Sequence, residues 1–159
     1  VNTQGSFEIN GEKYSIDPKQ SLSWYDRQWG DFSVHINGMW FWTSIQLKNG
    51  MAINLRWGVD PKTKLPLPDF CDATILMPDN SQIFTKNITV ENYLPQGDDY
   101  PTDYYITIPQ LGLHLTLHDA VGHQNAGGIY EGIVSAEGYD SHNSHVEGTA
   151  WAESSIRNK

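Results

Sequence analysis

Met39-Trp-Phe-Trp-Thr-Ser-Ile-Gln-Leu-Lys-Asn-Gly-Met-Ala-Ile-Asn-Leu-Arg-Trp57 sets two runs of aromatic and branched residues on either side of Asn49-Gly50. Such a pair is a strong hairpin signal, because Asn and Gly accept the positive φ angles of a tight turn. The stretch predicts antiparallel strands over Met39–Leu47 and residues 51–57. Asn10-Gly11 joins residues 7–9 to 13–16 in the same way. Further strand-like runs are 73–77, 87–92, 104–108, 113–118, 129–137 and 145–154. No window of a dozen residues keeps apolar spacings of three and four, so any helix is short. The expected fold is all-β, an antiparallel barrel or sandwich of about eight to ten strands in one domain, residues 1–159.

Strand parity assigns faces. Leu113, Leu115 and Leu117 point one way, and His114, Thr116 and His118 the other. His145, Glu147, Thr149, Trp151 and Glu153 share a face; Val146, Gly148, Ala150, Ala152 and Ser154 form the opposite one, small enough for close packing. The face rich in His, Glu, Thr and Trp is either solvent or the lining of a polar-aromatic lumen. Stretches 60–69 and 94–102 carry three and two prolines, which remove ladder donors, so both read as loops that could rim a barrel mouth. A third loop spans 122–128.

Ser23-Trp-Tyr-Asp-Arg-Gln-Trp-Gly30 crowds two indoles, a phenol, a carboxylate, a guanidinium and a carboxamide into eight residues. As a strand it places Trp24, Asp26 and Gln28 on one face, and Tyr25, Arg27 and Trp29 on the other. One reading is a pocket acid beside an apolar ligand. The other is an edge strand with Arg27 stacked on Trp29 and Asp26 solvated.

The run resembles the signature of the lipocalin-like hydratase superfamily, which includes carotenoid 1,2-hydratases, kievitone hydratases and fungal lipocalin-like Diels–Alderases. Residues 5–14, the aromatic strand 39–50 and the glycine-bearing strands 130–134 and 146–153 resemble other parts of the same pattern. The order matches the C-terminal of two family domains. The resemblance implies a lipocalin-like β-barrel, and a second β-domain or a second copy of the chain as partner.

With 159 residues and six Trp and eight Tyr among them, the chain has large amphipathic rings to line a cavity or pack a sheet. A formal net charge of −9 argues against nucleic acid and anionic membranes as partners. No apolar stretch approaches a membrane span. Cys71 is a single cysteine, so it forms no intrachain disulfide and reads as a small buried residue. Asn87-Ile88-Thr89 is a glycosylation acceptor if the protein is secreted; the compartment stays open.

Metal binding fits poorly. His114 and His118 share a strand face but stand roughly 13 Å apart at that spacing. Neither a nucleophile elbow nor a phosphate-cradling glycine loop is present. Acid catalysis remains: a carboxylic acid protonates an alkene carbon, aromatic faces stabilise the cation, and water adds without a cofactor. Asp26 is first choice as the acid, with the resemblance supporting it, and Glu153 and Glu131 follow. Trp24, Gln28, Trp29, Trp40, Trp42 and Trp151 are the candidate substrate-binding residues. The substrate class is an apolar alkene or polyene, terpenoid, prenylated or polyketide. Pericyclic cyclisation and non-catalytic carriage of a hydrophobic ligand are the alternatives.

Overall fold

The Asn10-Gly11 turn forms with φ of +53° and +83°, the pairing that a two-residue hairpin of this hand requires. It joins β1 (Gly5–Ile9) to β2 (Glu12–Ile16), where Phe7 and Tyr14 face each other in register with ring centroids 5.3 Å apart. This hairpin lies in the smaller of two units into which the chain divides, Val1–Asp31 and Phe32–Lys159. The computed structural model describes residues 3–27, 29, 39–122 and 124–156.

The larger unit carries β3 (Met39–Leu47), β4 (Ala52–Val59), β5 (Asp72–Leu76), β6 (Gln82–Thr85), β7 (Thr89–Tyr93), β8 (Asp103–Ile108), β9 (Leu113–Asp119), β10 (Asn125–Ala126), β11 (Ile129–Tyr139) and β12 (His145–Ser154). Nine of these form one antiparallel sheet in the order β6-β5-β4-β3-β12-β11-β9-β8-β7, and β10 adds to β11. Two single 3-10 turns, Pro68–Phe70 and Pro109–Leu111, are the helical pieces among the described residues. The all-β, barrel-like expectation holds.

Topology makes the sheet curl. Its outermost strands, β6 and β7, are consecutive, with Thr85 ending one and Thr89 beginning the other. Laid flat at ~4.8 Å per strand, nine strands would hold those edges ~38 Å apart. Four Cα steps reach ~14 Å at most. The sheet must therefore bend back on itself as a half-barrel. Gly138 and Gly148 permit the bend, because a Cβ at either would lie 1.8 Å from the His114 carbonyl oxygen or 2.1 Å from that of Gln46.

The enclosed face is filled. Phe41, Ile45, Ile53, Leu55, Ile75, Tyr104, Ile106, Leu115, Leu117 and Val134 pack as one cluster, and Phe41 stacks on Tyr104 at 4.1 Å. Parity in β9 and β12 follows the sequence: the leucines, Val146, Ala150, Ala152 and Ser154 are buried and Gly148 half-buried, while His114, His118, His145, Glu147 and Thr149 are exposed. The face rich in His, Glu and Thr is thus an outer face and not a lumen. β3 departs from one-sided burial, with Trp42 (6% exposed) and Ser44 buried on the side opposite Phe41, and Asp72 of β5 is buried in the same row as Trp42.

Three local readings change. β6 and β10 were not among the expected runs. The 87–92 run begins two residues late as a strand, since the Asn87 N–H donates to Thr85 Oγ1 (3.1 Å) and turns the chain into β7. Residues 23–27 and 29 join no strand, so the period-two face assignment does not apply to them.

Candidate functional site

Asp119 closes the apolar face of β9. Parity continues Leu113, Leu115 and Leu117 onto a carboxylate, which must find donors where leucine would need none. Its Oδ1 accepts from the Tyr130 hydroxyl (3.0 Å), Gln124 Nε2 (2.7 Å) and the Val121 N–H (3.2 Å). Tyr130 is 2% exposed, and burial first, then the Asp119 charge, pushes its phenol well above the ordinary tyrosine range. Gln124 is locked in turn: its Oε1 accepts from the Ile133 N–H (2.9 Å) and its Nε2 donates to the Ile133 carbonyl (3.0 Å). Gly132 leaves the room, since a Cβ there would sit 2.5 Å from Gln124 Nε2 and 2.7 Å from the Tyr130 hydroxyl.

This cluster borders a cleft of about 390 Å³ lined by Asp98, Asp99, Tyr100, Asp119, Asn125 and Tyr130, among others. Two of the stretches read as loops, 94–102 and 122–128, meet there. The Asp119 N–H donates to the Thr102 carbonyl (2.9 Å), tying the first loop to the end of β9. The proline-rich loop 60–69 contributes nothing to this cleft. Its turn is held by Asp60, whose Oδ1 accepts from the Thr63 and Lys62 N–H groups (2.8 and 2.9 Å); those bonds lower its pKa.

The residues singled out from sequence are dispersed. Asp26 is exposed and accepts the Arg27 N–H at 2.6 Å. Arg27 stands 5.9 Å from the Trp29 ring centroid, and Trp29 is 81% exposed, the arrangement of the solvated reading. Trp24 is half-buried, and Gln28 lies outside the described residues. On the sheet, register aligns Glu131, Glu153, Trp42, Arg56 and Asp72 in one row across five strands. Trp42 Nε1 donates to Asn54 Oδ1 (2.9 Å), and Arg56 Nε to Asp72 Oδ1 (3.1 Å). Trp151 sits one row on, 42% exposed, and Trp40 is half-buried.

His114 and His118 have separate partners, Thr107 Oγ1 at 3.2 Å and Asp103 Oδ1 at 2.6 Å. Among the described residues no three His, Cys, Asp or Glu side chains gather as a metal site needs. Cys71 is buried with its thiol 3.4 Å from the Gly58 carbonyl oxygen, and burial raises its pKa. No helix among the described residues is long and apolar enough to cross a membrane.

The chain is similar to kievitone hydratase from Fusarium solani subsp. phaseoli, with 30% identity over 164 residues, 95% of this chain and 45% of that protein. That match supports the resemblance to the lipocalin-like hydratase superfamily. A second relative is the dehydratase asqC of Emericella nidulans, 30% identical over 86% of this chain and 43% of that protein. The fold is matched by the crystal structure of kievitone hydratase from Nectria haematococca, with a TM-score of 0.74 over 96% of this chain and 49% of that one, at 24% identity. A Nitrosomonas europaea protein described as an AttH shares the fold at a TM-score of 0.65 and 11% identity, over 95% of this chain and 48% of that one. No family model matches the sequence. The chain spans about half the length of these two relatives.

The Asp119, Tyr130 and Gln124 cluster was missed by sequence reasoning. One signal was available: parity puts Asp119 on the face of three leucines.

Proposed function

We propose that this chain is the C-terminal half of a cofactor-independent enzyme that adds water to, or removes it from, a carbon–carbon double bond in an apolar secondary metabolite. The observation that carries the reading is the pair of relatives. One bears the name hydratase and the other dehydratase, at the same identity and over most of this chain. These are two directions of one reaction, and microscopic reversibility requires the same proton donors and acceptors in both.

Asp26 is the proposed acid, with Glu153 next in line. Trp24 and Trp29 supply aromatic surface for the cationic carbon, Gln28 positions water or the ligand's polar end, and Trp40, Trp42 and Trp151 are further binding candidates. An exposed carboxylate is a poor carbon acid–base group, because water already solvates it. Asp26 therefore needs a cover, which a second β-domain or a second copy of the chain would supply. The aromatic neighbours then act at their strongest, since cation–π attraction grows as water is excluded.

The test uses kievitone as probe with the chain and, in parallel, with a form extended by the preceding domain. A product heavier by one water, detected by mass spectrometry, is the expected result. Asp26→Asn should keep binding and lower turnover by ~10²-fold or more, the scale of a lost general acid. A product of unchanged mass points to cyclisation and sinks hydration. Full turnover by Asp26→Asn moves the acid to Glu153.

A further inference from the structure

We infer that Asp119 is a proton-transfer group of this chain, acting through Oδ2 on a water or hydroxyl held in the cleft between loops 94–102 and 122–128. The inference rests on the hydration–dehydration reading and adds to it the base that any such reaction needs beside its acid.

The geometry separates the two carboxylate oxygens. Oδ1 carries three hydrogen bonds, from Tyr130, Gln124 and Val121, and among the described residues Oδ2 receives none. A carboxylate pinned through one oxygen keeps the other oriented and open to a ligand proton, which is what preorganised acid–base groups require. The pins are themselves fixed. Tyr130 is buried, and Gln124 bonds both backbone groups of Ile133 and also donates to the Tyr130 hydroxyl (3.2 Å). Nothing in the strand ladder needs this arrangement, because the sheet is already paired through β9, β11 and β12.

The cleft walls choose the ligand. Asp98 and Asp99 line it with Asp119, so an anionic group is repelled, while Tyr100 and Pro101 give a short apolar wall. The fit is a neutral hydroxyl compound or water. In the hydration direction Asp119 takes a proton from water as the water oxygen bonds to carbon. The π electron pair meanwhile takes a proton from a carboxylic acid of the enzyme. In reverse Asp119 returns its proton to the leaving hydroxyl, water departs, and the adjacent C–H proton goes back to the acid as the double bond forms. No electrons are gained or lost.

Phenol and benzoate are the probes for the cleft, titrated into the folded chain by NMR. Phenol should shift the amides of Tyr100, Gly122 and Asn125, Asp119→Asn should weaken that binding at least tenfold, and benzoate should not bind. Phenol shifts that are absent, or unchanged in Asp119→Asn, overturn the inference whatever the activity. With kievitone, Asp119→Asn should lower kcat ~10²-fold at unchanged fold, judged by thermal unfolding. Tyr130→Phe removes one pin and should lower kcat several-fold with KM nearly constant. Hydration at full rate by Asp119→Asn overturns the inference and leaves the hydratase reading standing. Phenol binding that depends on Asp119, together with no hydration by wild-type chain or extended form, sinks the reading and the proton-transfer role with it.

Discussion

The β1–β2 hairpin and the β3–β12 pair are equally regular ladders, yet they differ in everything beneath the backbone. All five residues of β1 are exposed, and its Phe7 stacks on Tyr14 of β2 at the surface. In β3, Phe41, Thr43 and Ile45 are fully buried, facing Ala150 and Ala152 of the neighbouring strand. The comparison teaches that a ladder is not a measure of stability; burial is. It also separates distinctiveness from anchorage. The most recognisable motif, residues 23–30, lies in the thinly packed unit, while the strands that hold the core are ordinary in sequence.

Substitution should break the comparison at its strong end first. Phe41→Ala deletes a ring with no exposure that stacks on Tyr104, and should cost about 3–5 kcal/mol in urea unfolding. The matching change in the hairpin, Phe7→Ala, should cost under about 1 kcal/mol, since half its surface already meets water. Equal losses at the two sites would remove the distinction. Gly132→Ala comes next, at about 1–3 kcal/mol for an overpacked site, with the phenol probe lost from the cleft as well. Asp72→Asn should cost about 1 kcal/mol. Asp72 is buried, but its partner Arg56 is 45% exposed, so solvent screens much of the bidentate pair.

The smallest effect is electrostatic and has a definite sign. Asp79 and Glu147 are exposed and Asp60 and Asp140 half-buried, and each has its pKa lowered, led by hydrogen bonds from Thr63 (Asp60), Ser81 (Asp79), Ser144 (Asp140) and Lys48 (Glu147). A folded value below the unfolded one contributes stability at neutral pH that disappears as pH falls through the depressed value. Thermal unfolding followed from pH 7 downward should therefore show a falling melting temperature on the acid side. Asp140→Asn should flatten that slope, and an unchanged slope would count against the turn held by Asp140.

Much of the sheet was legible because alternation is a local property. Leu113 to His118 and His145 to Glu153 reveal their faces without knowledge of any neighbour. β6 was not, because Gln82-Ile-Phe-Thr85 is too short to establish a period. The motif 23–30 misled on conformation for a related reason. Aromatic residues favour strands through cross-strand packing, and the described residues 23–27 and 29 have no ladder partner to pack against. The Asp119 cluster was half legible. Parity places Asp119 inward, but Gln124 reaches it from an irregular loop, and no periodicity reports where a loop side chain ends.

The last strand of the sheet is also its middle. β12 lies between β3 and β11, and the Trp40 N–H bonds to Ser155 Oγ across 115 positions of chain. During synthesis β3 and β4 must therefore wait, with one flank of β3 open, until residues 145–154 have left the ribosome. A protein of this contact order folds slowly, and its open strand edge is an aggregation hazard for as long as the wait lasts. Chaperone dependence in expression, and insolubility of any form truncated before residue 145, follow from where one strand is placed.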